Sequence, residues 1–316
     1  MYILQRLFYT LVILFVITSL VFLVLQVLPG NVAKMILGQY ATPETLKALE
    51  EKLGLNDPLI TQYLRWLSST LRGDLGKSLV MERPVAPILL QALGRSAILA
   101  TITFILIAVI GNLLGVFAAI KQDKALDIFL STFALVGISV PEYFLGIVLV
   151  ILFSTLLPIF PSSGYIPFMF SNLWQWASHL FLPTITLTYT LIAHITRMSR
   201  SSMIEVLQSN YVKYAEAKGL SRKDIILKHA LKNALIPSIT VLALDFGWLI
   251  GGIALVETVF AYPGFGRLLV FGIMQRDLPV MQACMVVIAI VYCIANLIAD
   301  LLYSFVDPRI RFGKPA

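Results

Sequence analysis

Charge is scarce in this sequence. Only 13% of its 316 residues are Asp, Glu, Lys or Arg, against 59% hydrophobic residues, whereas soluble domains carry roughly 25% charged residues. That deficit excludes an ordinary water-soluble domain and places the chain in a bilayer. Cysteine is nearly absent as well. Cys284 and Cys293 fall in one apolar segment, and at ~1.5 Å per helical residue they lie roughly 13 Å apart, beyond disulfide reach, so they read as packing residues. The three histidines, His179, His194 and His229, show neither an H-E-x-x-H pattern nor a Cys/His cluster, which leaves no metal site and favours structural or interfacial roles. A G-x-S-x-G elbow is missing. Gly76-Lys77-Ser78 resembles the end of a phosphate-binding loop, but the pattern needs glycine at position 71, which is Leu71, and no strand precedes it. No catalytic constellation and no ATP site of its own can be read from the chain.

Long apolar runs are abundant. Lipid offers the backbone no hydrogen-bond partner, so runs of about 20 apolar residues read as spanning helices. Six are expected: Phe8 to Val27, Ile98 to Ile120, a run within Leu126 to Leu157, Leu180 to Ile195, Leu235 to Val256, and Met281 to Phe305. The first has no small-residue cleavage pattern after it and reads as retained rather than as a signal peptide. The third is too long for one upright span and is interrupted at Pro141-Glu142; a cytoplasmic stub followed by a span from about Pro141 is the expectation. The fold class is therefore all-α and polytopic. Gly111-x-x-x-Gly115 and Gly247-x-x-x-Gly251 lie within spans and read as helix-packing faces.

The net charge of +7 arises from basic residues placed between apolar runs, not from one patch, so membrane topology explains it and nucleic acid does not. With the N-terminus inside, the inner segments hold 14 Lys and Arg residues, among them Arg6, Lys121, Lys124 and eight from Arg197 to Lys232, while the short outer connections hold only Arg267 and Arg276. Both termini are thus expected in the cytoplasm. The organisation that follows is a first helix over 1–29, an outer segment over 30–96, a core over 97–306 and a cytoplasmic tail over 307–316. In the outer segment, Thr42, Pro43 and Gly54 bracket one amphipathic helix, and Asp57-Pro58 and Gly73 bracket a second. Both are expected to lie over the outer ends of the spans.

The charged stretch "YAEAKGLSRKDIILKHALKNALIP", residues 214 to 237, predicts two short helices at a sharp turn. Ser209 or Asn210 can cap the first, Gly219 stops it and Ser221 caps the next. Ala215, Ala217 and Gly219 place small side chains near the apex, which suits insertion into a partner's groove. Asp245, some ten residues into the fifth span, is a candidate for the translocation path or for a buried helix contact.

These residues resemble a family. Aligned on Gly219, the E-A-A-x-x-x-G loop of ABC importer permeases is matched at Ala215 and departs from the pattern at Lys213 and Tyr214. The A-x-A-K-G-L variant of dipeptide, oligopeptide and nickel importer permeases is matched throughout Ala215 to Leu220. Further blocks agree in order: "LPG" at 28 to 30, "LGLNDPL" at 53 to 59, "GDLGKS" at 73 to 78, "RMSRSSMIEV" at 197 to 206, "ETVFAYPGFGR" at 257 to 267, "RDLPVMQ" at 276 to 282 and "DPRIR" at 307 to 311. The resemblance implies a type I importer fold, and a permease subunit in the bacterial inner membrane that carries small peptides, with nickel, a metal chelate or glutathione as alternatives. It implies a second homologous permease, two ATPase subunits, and a periplasmic or extracellular solute-binding protein. It also implies a coupling loop over about 200–233, in which Tyr214, Ala215, Ala217, Lys218, Gly219, Leu220 and Ser221 contact an ATPase. No cofactor is expected in this chain, since ATP is bound by the partner subunits. A stand-alone channel or secondary transporter is the reading from another class; no internal repeat of the kind many carriers show supports it.

Overall fold

The computed structural model describes residues 2–27, 37, 41–170 and 172–306, and among these every regular element is a helix apart from a single antiparallel bridge between Lys77 and Pro84. The "LPG" block at 28 to 30 and the tail at 307–316 lie outside the described residues.

Helix α1, Tyr2–Val27, is apolar on nearly every side, as expected of a helix surrounded by lipid. The two amphipathic helices form where their caps predict. In α2, Pro43–Leu53, the Thr42 hydroxyl accepts from Thr45 N at 3.2 Å, and Gly54 ends the helix at a left-handed φ of +64°. Helix α3, Leu59–Leu71, follows Pro58. It lies beside α1 rather than over its end: Tyr63 and Trp66 each stand 5.4 Å from the Phe22 ring, and Tyr63 shares a 2.7 Å hydrogen bond with Ser19.

Helix α4, Val85–Ile120, begins well before the expected Ile98 and includes a π-helical segment at Ile107–Gly111. Then come α5, Ala125–Ser139, and α6, Glu142–Leu156, bent by 103° to one another. Pro141 has no N–H to continue the ladder and holds Val140 extended, at φ −94° and ψ 121°. The segment expected as a stub before this break is a helix of 15 residues. Helix α5 packs along the bundle: Asp127 binds Arg200, the Phe133 and Tyr189 rings meet at 4.9 Å, and a Cβ at Gly137 would stand 3.0 Å from the Tyr189 carbonyl. Its apolar residues are thereby taken up by a helix contact on one side and left for lipid on the other.

The centre of the bundle is α7, Leu173–Gln208, a single helix of 36 residues, about 54 Å long at 1.5 Å per residue. The Asn172 side chain caps it by accepting from Gln175 N at 2.8 Å. Leu182, Leu187, Leu191 and Ile195 are fully buried against Leu99 and Ile107 of α4 and against Leu249, Ile253 and Val256 of α9, Leu231–Val259. Thr184, Thr186, Thr188, Thr190 and Thr196 are buried too. This composition explains the outcome for the expected six spans. Among the described residues four helices are individually long and apolar enough to cross a membrane, or five where the bent pair counts as one span. The expected span at Leu180–Ile195 lies inside α7, where neighbouring helices, not lipid, surround the threonines.

Helix α10, Phe265–Gln275, and α11, Leu278–Val306, complete the chain. Val85 and Leu89 of α4 form a second core with Phe265, Leu268, Val280 and Cys284. Both cysteines are free and buried.

Between spanning helices, lipid tails are as apolar as leucine, so close backbone approach replaces the hydrophobic effect as the source of cohesion. Gly111 and Gly115 make that approach. A Cβ at Gly111 would stand 2.9 Å from Ile195, and one at Gly115 would stand 2.5 Å from the Thr196 carbonyl. Gly247 behaves differently, because the nearest atom to a Cβ there is the Tyr292 ring at 3.7 Å, an ordinary contact.

Candidate functional site

At one end of the bundle the chain leaves α7, turns at Ser209 and forms α8, Asn210–Ala217. Ser209 makes no side-chain cap. Its carbonyl receives Lys213 N at 3.2 Å while its hydroxyl donates to Val206 O at 2.5 Å. The far end stops as the sequence predicts. Gly219 adopts φ +78°, a left-handed conformation that costs glycine little; its N–H reaches Glu216 O at 2.9 Å, and Leu220 N reaches Ala215 O at 3.3 Å. Ser221 caps the returning helix by accepting from Asp224 N at 3.2 Å. That helix passes through a π-helical segment, Ile225–Ala230, and runs directly into α9.

Val212, Ala215 and Ile225 form a small core inside this hairpin, with Val206 against it. Asn233 of α9 donates to the Tyr211 hydroxyl at 3.0 Å. The hairpin is therefore tied to both α7 and α9 and can pass displacement to either. Six of the seven residues that the resemblance singles out lie on its exposed rim: Tyr214, which is 72% exposed, Ala217, Lys218, Gly219, Leu220 and Ser221. Ala215 does not. It is 7% exposed and faces Ile225, so its small size serves the hairpin's own packing.

Near the base of the hairpin, Arg200 of α7 holds Asp127 of α5 through two bonds of 2.6 and 2.7 Å. Planar bidentate pairs of this kind fix orientation as well as distance. Asp127 also accepts from Asp123 N at 2.9 Å, which closes the turn between α4 and α5.

Asp245 lies far from the apex, roughly 21 Å along α9 from Leu231 at ~1.5 Å per residue. It faces α7, with Oδ1 3.5 Å from His194 Nδ1 and no partner for Oδ2. The His194 side chain is 42% exposed, so the pair lies at the edge of the helix contact. His194 thus has the interfacial role expected of it. Its pairing with Asp245 crosses 51 positions and is not visible in the sequence.

The opposite end holds a cluster that sequence reasoning missed. Glu257 is fully buried and accepts from the Ser96 hydroxyl and from Arg267 N at 3.1 Å. Ser96 in turn accepts from Phe265 N at 2.7 Å. The Tyr262 hydroxyl donates to Arg95 O at 2.9 Å, and Arg95 donates to Pro263 O at 3.1 Å. Burial raises the Tyr262 phenol above its ordinary pKa, so it stays a donor. Together these bonds clamp the turn between α9 and α10 onto α4. Asp277 does the same for the loop ahead of α4, accepting from Ser78 Oγ at 2.5 Å and Val80 N at 3.2 Å. The one local hint was an acid, Glu257, six positions ahead of Pro263 in the Pro263-Gly264 turn.

Among the described residues, no group of three or more His, Cys, Asp or Glu side chains could hold a metal ion. The arrangement is a helical bundle with polar clamps at one end and a stiff, exposed hairpin at the other. Comparison with known proteins agrees with it. The profile described as "Binding-protein-dependent transport system inner membrane component" matches residues 111–312, and the corresponding N-terminal profile matches residues 1–89. A probable peptide ABC transporter permease protein of Sinorhizobium fredii is 40% identical over 98% of this chain and 99% of its own length. A dipeptide transport system permease protein of Alkalihalophilus pseudofirmus is 38% identical over 98% of this chain and 99% of its own. A glutathione transport system permease protein of Escherichia coli is 36% identical, again over 98% and 99%. The fold is shared with a solved inward-facing structure of the MetNI methionine ABC transporter, at a TM-score of 0.57 and 18% identity over 70% of this chain and 96% of that one. The chain therefore belongs to the family of binding-protein-dependent transport system inner membrane components, multi-pass translocation subunits rather than enzymes.

Proposed function

We propose that this chain forms, with a second homologous permease, the path by which small peptides cross the cytoplasmic membrane, driven by two separate ATPase subunits and supplied by an external solute-binding protein. The observation that carries the coupling role is the hairpin. Its rim is exposed and its interior is packed and tied to both α7 and α9, so a partner that grips the rim moves two core helices together. ATP stays on the partner subunits. Peptide as substrate rests on the relatives named for peptide and dipeptide transport, at 40% and 38% identity. Glutathione, itself a modified tripeptide, is the second reading, favoured by the relative at 36% identity. Purified complex in proteoliposomes loaded with ATP is expected to accumulate labelled dipeptide in preference to glutathione and nickel. Accumulation of nickel alone would overturn the assignment.

The orientation proposed places the hairpin and both termini in the cytoplasm. A reporter active only outside should be silent after Lys121 or within residues 222–228 and active within residues 45–90. An active external reporter at the hairpin would end the coupling assignment.

Asp245 is proposed to border the passage. An ionised carboxylate at mid-depth costs roughly 2.5 to 3.5 kcal/mol unless it meets water or a partner, and Oδ2 has no partner among the described residues. Asp245→Asn is expected to reduce uptake of cationic peptides more than that of neutral ones while complex abundance is unchanged. A parallel loss of all substrates along with abundance would make the residue a structural contact to His194.

A further inference from the structure

Helix α3 leaves its most apolar edge uncovered. Ile60, Leu64 and Leu71 are 63%, 56% and 79% exposed, whereas Tyr63 and Trp66 turn inward against Phe22. The depth of the helix decides what covers that edge, and two spans fix the depth independently. Ser19, which bonds Tyr63, lies six residues inside the apolar window Arg6–Leu25 of α1, or about 9 Å along the axis at 1.5 Å per residue. On the other side, Gln62, Arg65 and Trp66 line one cavity with Leu278, Gln282 and Val286, the first turns of the span Leu278–Ile298. Helix α3 is thus level with the last turns of one span and the first turns of the other, and does not rise above them. At that level an exposed leucine meets acyl chains or the headgroup boundary. The face beside that edge is suited to water, with Thr61, Arg65 and Ser68 exposed about a quarter-turn round the helix and Arg65 paired to Asp57 at 2.7 Å.

We propose that α3 is an interfacial helix whose Ile60, Leu64 and Leu71 edge is embedded in the lipid leaflet at the end of the bundle opposite the hairpin. Its partner there is a lipid surface, which an amphipathic helix lying in the plane of the interface engages through its apolar face. The aromatic pair Tyr63 and Trp66 lies at the same depth, where amphipathic rings are enriched. The helix would hold α1 and α11 in register with the bilayer boundary, independently of which solute the complex carries.

The test places nitroxide labels on cysteines introduced singly at Leu64 and Leu71 on the apolar edge and at Thr61 and Ser68 on the polar face beside it, with the complete complex in phosphatidylcholine and phosphatidylglycerol vesicles. All four side chains are exposed, so folding is not at stake, and the buried Cys284 and Cys293 stay in place, with the parent protein as the labelling control. Collisions with oxygen, which concentrates in lipid, should exceed collisions with a water-soluble nickel chelate several-fold more at 64 and 71 than at 61 and 68. Equal access of the chelate to all four positions would overturn the proposal by placing the helix in water. Protection of 64 and 71 from both reagents would overturn it too, by showing a protein surface over that edge.

Discussion

ATP-driven uptake is expected to be lost in Gly219→Trp while the variant still inserts in the membrane. Two properties of the position separate these outcomes. Nothing lies within 4 Å of a Cβ built at Gly219, so an indole would project from the hairpin without displacing any part of the chain. The remaining internal cost is that of a side chain at φ +78°, about 1–2 kcal/mol, which the hairpin's core and its bond to α9 can absorb. A surface that must fit a partner's groove cannot absorb an indole. Membrane level, copurification with the ATPase subunits and uptake would be measured side by side. Gly219→Ala supplies the control, because it carries the same backbone strain without the bulk and should retain most of its uptake. Normal ATP-driven uptake by the tryptophan variant would sink the assignment of this rim to the motor.

Gly115→Leu should fail earlier, at assembly of the bundle. A Cβ at this position would stand 2.5 Å from the Thr196 carbonyl, 2.6 Å from Ser199 Cβ and 3.0 Å from Arg200 N. Two of these atoms belong to the backbone of α7 and cannot rotate away. Overpacking with room to adjust costs about 1–3 kcal/mol; here relief requires α4 and α7 to part, which also pulls apart the 2.5 Å bond from Ser199 to Asn112 and strains the Arg200 grip on Asp127. The amount of protein in the membrane fraction is therefore expected to fall severely. Gly94→Leu, on the same helix with open space around it, should leave that amount unchanged. Equal accumulation of both variants would show that the α4 and α7 backbones do not depend on this approach.

Features governed by neighbours in sequence were legible beforehand. Thr42, Pro43 and Gly54 delimit α2, Pro141 breaks α5 from α6, and Gly219 and Ser221 turn the hairpin, because each acts on backbone atoms within four residues. Features governed by distant neighbours were not. The α5 segment reads as a stub until α7 is laid beside it, since nothing within Leu126 to Val140 announces Arg200 or Tyr189 as partners. Ala215 reads as part of a docking rim because smallness suits both a partner's groove and the hairpin's own interior, and only the packing on Ile225 separates the two. The threonines of α7 lower its apolarity below that of a lipid-facing span, and their burial becomes intelligible once four other helices are seen around it. Glu257 and Asp277 find their hydroxyl partners 161 and 199 residues away, a separation over which a single sequence carries no signal.

The break at Pro141 has one more consequence, and it concerns an acid. The break starts a new helix, α6, within an apolar stretch, and the unsatisfied N–H groups of its first turn amount to roughly half a positive charge. Glu142 occupies the first turn of α6, buried, with its carboxylate against the bare backbone of Gly252, where a Cβ would stand 2.8 Å from either oxygen. Among the described residues no arginine or lysine pairs with it, and its Oε2 makes no hydrogen bond there. Its place in the first turn sets it at the positive end of that helix. The kink that proline forces on the chain thus places a buried glutamate at the positive end of a helix among apolar neighbours, a position that a straight helix through the same residues would not provide.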